Sequence, residues 1–176
     1  RYMDDIPLVI PEINGHKIND GKLIANPNCT TAIAAVALWP LHCEYGIKKL
    51  IMSTYQAASG AGEAGMRELK ETTTAICNNK EIPKPKEFAH QLAFNVIPHI
   101  DKFQENLYTK EEMKVAWETQ KIFGLTEDEI KVSCTAVRIP IERAHSEAIT
   151  IETNKPITAE AARKLIANAP GCQLVD

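Results

Sequence analysis

Three observations predict an α+β fold. Ile47–Gln56, Ile130–Ile139 and Ala144–Thr153 read as strands, the last two with clear polar–apolar alternation. Thr31–Tyr45, Gly62–Cys77, Thr109–Phe123 and Thr158–Ala169 read as helices set between them. The link Pro140–Arg143 is short enough to make the last two strands antiparallel neighbours.

Taken in order, Pro7–Ile13 is predicted as a short buried strand closed by Asn14-Gly15. Lys22–Ala25 is a second short apolar run, which leads into Asn26-Pro27-Asn28-Cys29-Thr30-Thr31. Asn28 is a good N-cap, so Cys29 falls in the first turn of the next helix. Unpaired N–H groups and the positive end of the helix dipole favour a thiolate there. That helix is apolar nearly all round and so is predicted to be buried. Pro40 is expected to kink or end it, and Gly46 to stop it.

The strand Ile47–Gln56 runs into Ala57-Ala58-Ser59-Gly60-Ala61-Gly62, a small-residue loop able to present N–H groups to an anion or cofactor. Asn78–Glu87 is polar, holds two prolines and reads as an exposed excursion. Leu92–Ile97 is a predicted strand ended by Pro98. Thr109 and Glu112 have capping-box spacing, and Met113, Ala116, Trp117 and Ile122 supply a core stripe. Glu111 and Lys114 share a face of that helix at i and i+3, a spacing equally suited to a solvated ion pair. Arg138 shares a strand face with Val132, Cys134 and Ala136, so it must be paired or lie at the sheet end. His145 opens the next strand, with Glu147, Ile149 and Ile151 on its face. Cys172–Val175 is a predicted final strand.

Composition excludes several classes. Hydrophobic residues make up 44 % and charged residues 24 % of 176 residues, an ordinary globular balance. A net charge of −3 without a basic block gives no support to nucleic-acid or membrane-surface binding. The apolar run Ala32–Leu41 is too short to span a bilayer. Five scattered cysteines form neither a CxxC pair nor a zinc spacing, and five histidines form no metal motif. A reducing, cytoplasmic setting without a metal is expected. The opening Arg1-Tyr2-Met3 and the missing closing element suggest a fragment.

Four stretches now appear in one order: NPNCTT at Cys29, STYQAASGAG at Gln56, EEMK at Glu111–Lys114 and RIPIERAHSE from Arg138 to Glu147. This set closely resembles the aspartate-β-semialdehyde dehydrogenase family across essentially the whole chain. A short CTT is also similar to glyceraldehyde-3-phosphate dehydrogenase, but the QAASGAG loop and the R-x-P-x-x-R-x-H segment separate the two. The resemblance implies a mixed, largely antiparallel sheet with helices on one face, as in glyceraldehyde-3-phosphate dehydrogenase-like catalytic domains. It implies that residues 1–28 are the tail of a Rossmann-type NADP-binding domain and 29–176 an incomplete catalytic and dimerisation domain.

The activity it implies is NADP-dependent reductive dephosphorylation of aspartyl-4-phosphate to aspartate-4-semialdehyde, on the route to lysine, threonine and methionine. Cys29 matches the nucleophile that becomes acylated, His145 the general acid/base and Gln56 the residue orienting the acyl group. Arg138 matches the arginine that grips the substrate α-carboxylate, and Glu111 the acid facing its amine. Lys114 and Arg1 match phosphate ligands. Ser59 and Gly60 match a loop near the nicotinamide of NADP. A homodimer is the implied assembly. No GxxGxxG-type loop occurs in the chain, so the 176 residues alone are expected not to turn over.

The chemistry agrees with those residue types. A thiolate attacks an acyl phosphate well, because phosphate leaves easily and a thioester accepts hydride. Two other readings remain open: a Cys/His acyl-phosphate or acyl-thioester reductase for a different acid, and a catalytically silent interaction domain. An α-amino acid needs both Glu111 and Arg138, whereas a simple acyl phosphate needs neither.

Overall fold

The computed structural model describes residues 5–18 and 23–175. The chain divides into two compact units that do not follow a single cut in the sequence. One comprises Arg1–Ile51, Lys114–Ser133 and Ile149–Asp176, and the other Met52–Met113 and Cys134–Ala148.

The three strands are β1 (Ile47–Gln56), β2 (Lys131–Arg138) and β3 (Ser146–Thr153), hydrogen-bonded in the order β2-β1-β3. The strands predicted as neighbours across Pro140–Arg143 are therefore separated by β1. The N–H of Ile139 donates to the carbonyl of Gln56 at 3.0 Å, so β2 and β1 end side by side and run parallel. β3 starts beside the end of β1, where the Ala57 N–H meets His145. It ends beside the start of β1, where Asn154 N–H donates to Gly46 O at 2.7 Å, so this pair is antiparallel. The sheet is mixed, and the fold is α+β.

Alternation follows the pleat. Leu50, Met52, Thr54 and Gln56 of β1 and Cys134, Ala136 and Arg138 of β2 are buried on one face. Ile51 and Tyr55 point to the other, which is exposed. Lys48 and Lys49 interrupt the alternation, and both reach Glu152 of β3, at 2.8 and 2.9 Å.

Helix α2 (Cys29–Tyr45) begins at Asn28 and stops at Gly46, whose φ of 67° is the left-handed stop a glycine supplies. Pro40 does not end it. Trp39 and His42 flank the proline and pack against Phe123 of helix α4 (Lys110–Phe123), one edge-on and one tilted, with ring centroids 5.1 Å apart in each case. Those contacts on both sides hold the helical path that proline opposes. Helices α3 (Gly62–Cys77) and α5 (Ala159–Ala167) match their predicted cores, and Thr158 caps α5 by accepting from Ala161 N–H. Asn78–Glu87 is an exposed excursion without helix or strand.

Other expectations give way. Pro11 starts a one-turn helix, α1 (Pro11–Asn14), because its fixed φ suits a first helical position and its missing N–H costs nothing there. Only Leu8, in a single parallel bridge to Ala25, pairs as a strand would. Asn14 closes the turn by accepting from Ile10 N–H and donating to Leu8 O, both at 2.8 Å. Leu92–Ile97 is not a strand: Phe94 adopts φ 58°, and only Ile97 bridges, to Arg138. Cys172–Val175 forms no strand among the described residues. The buried stripe of α4 also differs. Glu111, Val115, Glu118, Thr119, Ile122 and Phe123 are buried, while Trp117 is 42 % exposed.

Candidate active site

In the first unit, Asn28 accepts from Thr30 N–H at 3.1 Å, from Thr31 N–H at 3.5 Å and from the Thr30 hydroxyl at 2.6 Å. Its own N–H donates to Glu118 Oε2. Glu118 is 2 % exposed, so a buried carboxylate of α4 fixes the residue just before Cys29. Cys29 then occupies the first position of α2 with its side chain exposed. Three other thiols are poorer candidates. Burial raises Cys43, burial and Glu12 raise Cys172, and burial with Glu112, Glu147 and Glu111 pushes Cys134 up to about 12. Lys114 belongs to the same unit as Cys29 and is half-buried on α4. Arg1 lies outside the described residues.

The second unit brings Gln56, Ser59, Gly60, Glu111, Arg138 and His145 together. Gln56, 1 % exposed, donates from Nε2 to Glu111 Oε1 at 3.1 Å. Its Oε1 accepts from the Thr54 hydroxyl at 2.9 Å, and Val137 N–H donates to that hydroxyl at 3.3 Å. This buried chain fixes which way the Gln56 amide faces. The predicted capping box is also present: Thr109 N–H donates to Glu112 Oε2 at 2.7 Å, and Glu112 N–H to Thr109 Oγ1 at 3.3 Å. Glu112 Oε1 accepts from Ala136 N–H at 3.0 Å, tying α4 to β2.

Ala57, fully buried, links two candidates. Its carbonyl accepts from Arg138 Nη1 at 2.7 Å, and its N–H donates to His145 Nδ1 at 3.0 Å. Arg138 also sits over the Phe88 ring, 5.8 Å from its centroid, and lines a cavity of about 210 Å³. Glu87 and Asp101 line that cavity too, so an anion entering there meets like charge. Burial lowers the His145 pKa, Arg138 lowers it further, and Glu111 opposes both. Ala144 just before it has φ 71°, a left-handed conformation costly for a residue with a Cβ.

A side chain at position 60 would push on the Arg138 guanidinium. A Cβ there would stand 2.7 Å from Arg138 Nη1 and 3.4 Å from His145 Cε1 and Nε2. Gly60→Ala is expected to lower kcat/KM of the full-length protein about 100-fold by displacing a side chain roughly 1 Å. A melting temperature close to the parent's, measured alongside, separates this from misfolding; an unchanged kcat/KM would refute it.

The Ala57–Gly62 loop spends its N–H groups on its own neighbours. Ala58, Ser59 and Gly60 N–H groups donate to Ile141, Glu142 and Ala57 carbonyls at 2.9, 3.0 and 3.2 Å. The expected presentation of these N–H groups to an anion is therefore not found. Ser59 is half-buried and Gly60 exposed, which leaves a side chain and a bare backbone edge for contact.

The sequence reading missed Glu118, Thr54, Ala57 and Glu147. Glu118 had a signal, since it lies four residues after Lys114 and seven after Glu111, on one helix face. Both Glu147 carboxylate oxygens are buried and lack a hydrogen-bond partner among the described residues, and burial pushes the group up to about 7. Its folded value lies above the ordinary 4.5, so its cost is absent below about pH 4.5 and grows as pH rises through about 7. Glu147→Gln is expected to stabilise the protein by roughly 1–2 kcal/mol at pH 8, discounted for partial exposure, and by almost nothing at pH 4.5. Urea unfolding at both pH values checks this; an equal gain at both contradicts it. Among the described residues there is no cluster of His, Cys, Asp and Glu able to hold a metal ion, and no helix long and apolar enough to cross a membrane.

A family profile described as "Semialdehyde dehydrogenase, dimerisation domain" matches residues 38–176. An aspartate-semialdehyde dehydrogenase of Aquifex aeolicus is 50 % identical over 179 aligned positions, covering 100 % of this chain and 52 % of that protein. The chain thus spans about half the length of the curated relatives it matches. Among solved structures, aspartate semialdehyde dehydrogenase II of Vibrio cholerae, complexed with ASA, is 43 % identical with a TM-score of 0.92, over 97 % of this chain and 51 % of that one. The enzyme of Candida albicans, solved with NADP, is 26 % identical with a TM-score of 0.66, over 93 % of this chain and 45 % of that one. By sequence profile, by identity and by fold, the chain belongs to the semialdehyde dehydrogenase family and carries its dimerisation domain.

Proposed function

We propose that this chain carries the acyl-transfer half of an aspartate-β-semialdehyde dehydrogenase, which reductively dephosphorylates aspartyl-4-phosphate to aspartate-4-semialdehyde and phosphate. The observation that carries this reading is the meeting in one unit of residues from three of the four motifs, through Gln56–Glu111 and through Ala57 between Arg138 and His145.

Cys29 attacks the acyl carbon and holds it as a thioester. Gln56, its amide orientation set by Thr54 and Glu111, positions that acyl group. Arg138 binds the α-carboxylate in the paired geometry that guanidinium favours, and Glu111 faces the amine. Lys114 and Arg1 bind phosphate. His145 acts as the general acid/base. A reduced nicotinamide, NADPH, supplies the hydride, and Ser59 and Gly60 contact that end of it. Residues 1–28 end a nucleotide-binding domain, and 29–176 form the catalytic and dimerisation domain. The protein works as a homodimer in the cytoplasm, where its thiols stay reduced.

The charges support an amino-acid substrate. A simple acyl phosphate gives Arg138 and Glu111 nothing to bind, yet both are held in place, at 7 % and 6 % exposure. The deciding assay is phosphate-dependent reduction of NADP by aspartate semialdehyde with the full-length protein. Turnover with that aldehyde and none with an aldehyde lacking the amino acid group is expected. Equal rates with both would sink the reading.

A further inference from the structure

The exposed excursion after α3 ends on a fixed point. Glu68 Oε2 on α3 accepts from the Lys86 and Glu87 N–H groups, both at 2.8 Å. The next residue, Phe88, turns inward. From Cys77 to His90 every other residue is exposed, while Phe88 is half-buried. Its ring packs against the buried cluster of Ala58, Leu69, Leu92, Ala93 and Ile97. The ring tip lies on Gly65 of α3, where a Cβ would stand 3.0 Å from Phe88 Cζ. Its face lies beneath the Arg138 guanidinium, whose Cζ is 5.8 Å from the ring centroid. All of these residues belong to one unit.

An aromatic face attracts a cation without using any of its N–H groups. That distinction matters at Arg138. Its Nη1 is tied to the Ala57 carbonyl at 2.7 Å, and the carboxylates Glu87 and Asp101 line the same cavity. A carboxylate holding the guanidinium would occupy its donors and cancel the charge that a substrate carboxylate needs. The Phe88 ring restrains the plane and does neither.

Resting on the acyl-transfer reading above, we propose that Phe88 is a positioning residue for substrate binding. It acts through Arg138, whose guanidinium plane it holds in the orientation that receives the α-carboxylate. The two bonds to Glu68 keep the ring in place.

The test is steady-state kinetics of the full-length protein with aspartate semialdehyde, phosphate and NADP. F88L keeps an apolar filler but no ring face. It is expected to raise KM for aspartate semialdehyde about tenfold, with kcat within about threefold of the parent and KM for NADP unchanged, because binding rather than chemistry is weakened. Replacing Phe88 by 3,5-difluorophenylalanine keeps the ring's shape and its contact with Gly65 but draws charge away from the face. It is expected to raise the same KM about threefold at the parent's melting temperature, which a ring that only fills space would not do. A parent-like KM in either protein, or a loss confined to kcat, would overturn the proposal.

Nitrogen–proton NMR gives a readout that needs no turnover. In protein labelled with ¹⁵N-arginine, Arg138 being assigned by its absence in R138K, its Nε–H resonance is expected to shift between the parent and F88L as the ring is lost. An unchanged resonance would also overturn the proposal. If the parent protein fails to reduce NADP with aspartate semialdehyde, the function reading falls, while the resonance still decides whether Phe88 holds Arg138.

Discussion

Cys29→Ala in the full-length protein is expected to lower phosphate-dependent reduction of NADP by aspartate semialdehyde about 10⁴-fold or more, because no thioester forms without the sulfur. Turnover near the parent rate would remove Cys29 from the chemistry. Thiol labelling gives the complementary result. Cys29 lies exposed at the first turn of α2, whereas burial holds Cys43, Cys134 and Cys172 towards the protonated form. At neutral pH iodoacetamide should therefore alkylate Cys29 well ahead of these three. Comparable rates would count against a nucleophile at that position. Since Asn28 caps the helix through Thr30 and Thr31, the variant should unfold at nearly the parent's midpoint, so lost activity would not reflect lost structure.

The second large effect falls on stability. Glu118→Ala is expected to cost about 3 kcal/mol, because it strands the buried Asn28 N–H and leaves a cavity beneath the start of α2. Glu118→Gln keeps an acceptor at the same place and should cost about 1 kcal/mol. Chemical denaturation of the three proteins measures the order directly. If Glu118→Ala unfolds at the parent's midpoint, the carboxylate does not support the Cys29 turn. Glu111 was readable from its motif. Glu118 was legible as a neighbour of Lys114 on the same helix face but not as the partner of Asn28, because nothing local points to a residue 90 positions away in sequence.

That contrast recurs through the chain. Where a signal lies within one turn, sequence and structure agree. Asn28 caps α2, Gly46 stops it, and Thr109 and Glu112 exchange bonds at the start of α4. The core of each helix α2 to α5 and the three sheet strands also followed from local pattern and composition. Where the outcome depends on a distant partner, they part. Pro40 ought to break α2 by its own geometry, and the helix survives because Trp39 and His42 pack against Phe123 across it. Leu92–Ile97 has strand composition but finds a single bridge, because Phe94 turns the backbone at φ 58°.

By itself, then, the sequence determined the α+β class, the helix that carries Cys29 and the caps at Asn28 and Thr109, because caps, periodicity and motifs are short-range. Only the tertiary structure decided the sheet order β2-β1-β3, since strand pairing depends on long-range burial. It also decided which groups hold those residues. Glu118 secures Asn28, Thr54 orients Gln56, and Ala57 ties His145 to Arg138. A hydrogen bond between chain-distant groups leaves no periodic trace, and its direction is set by where folding places the donor.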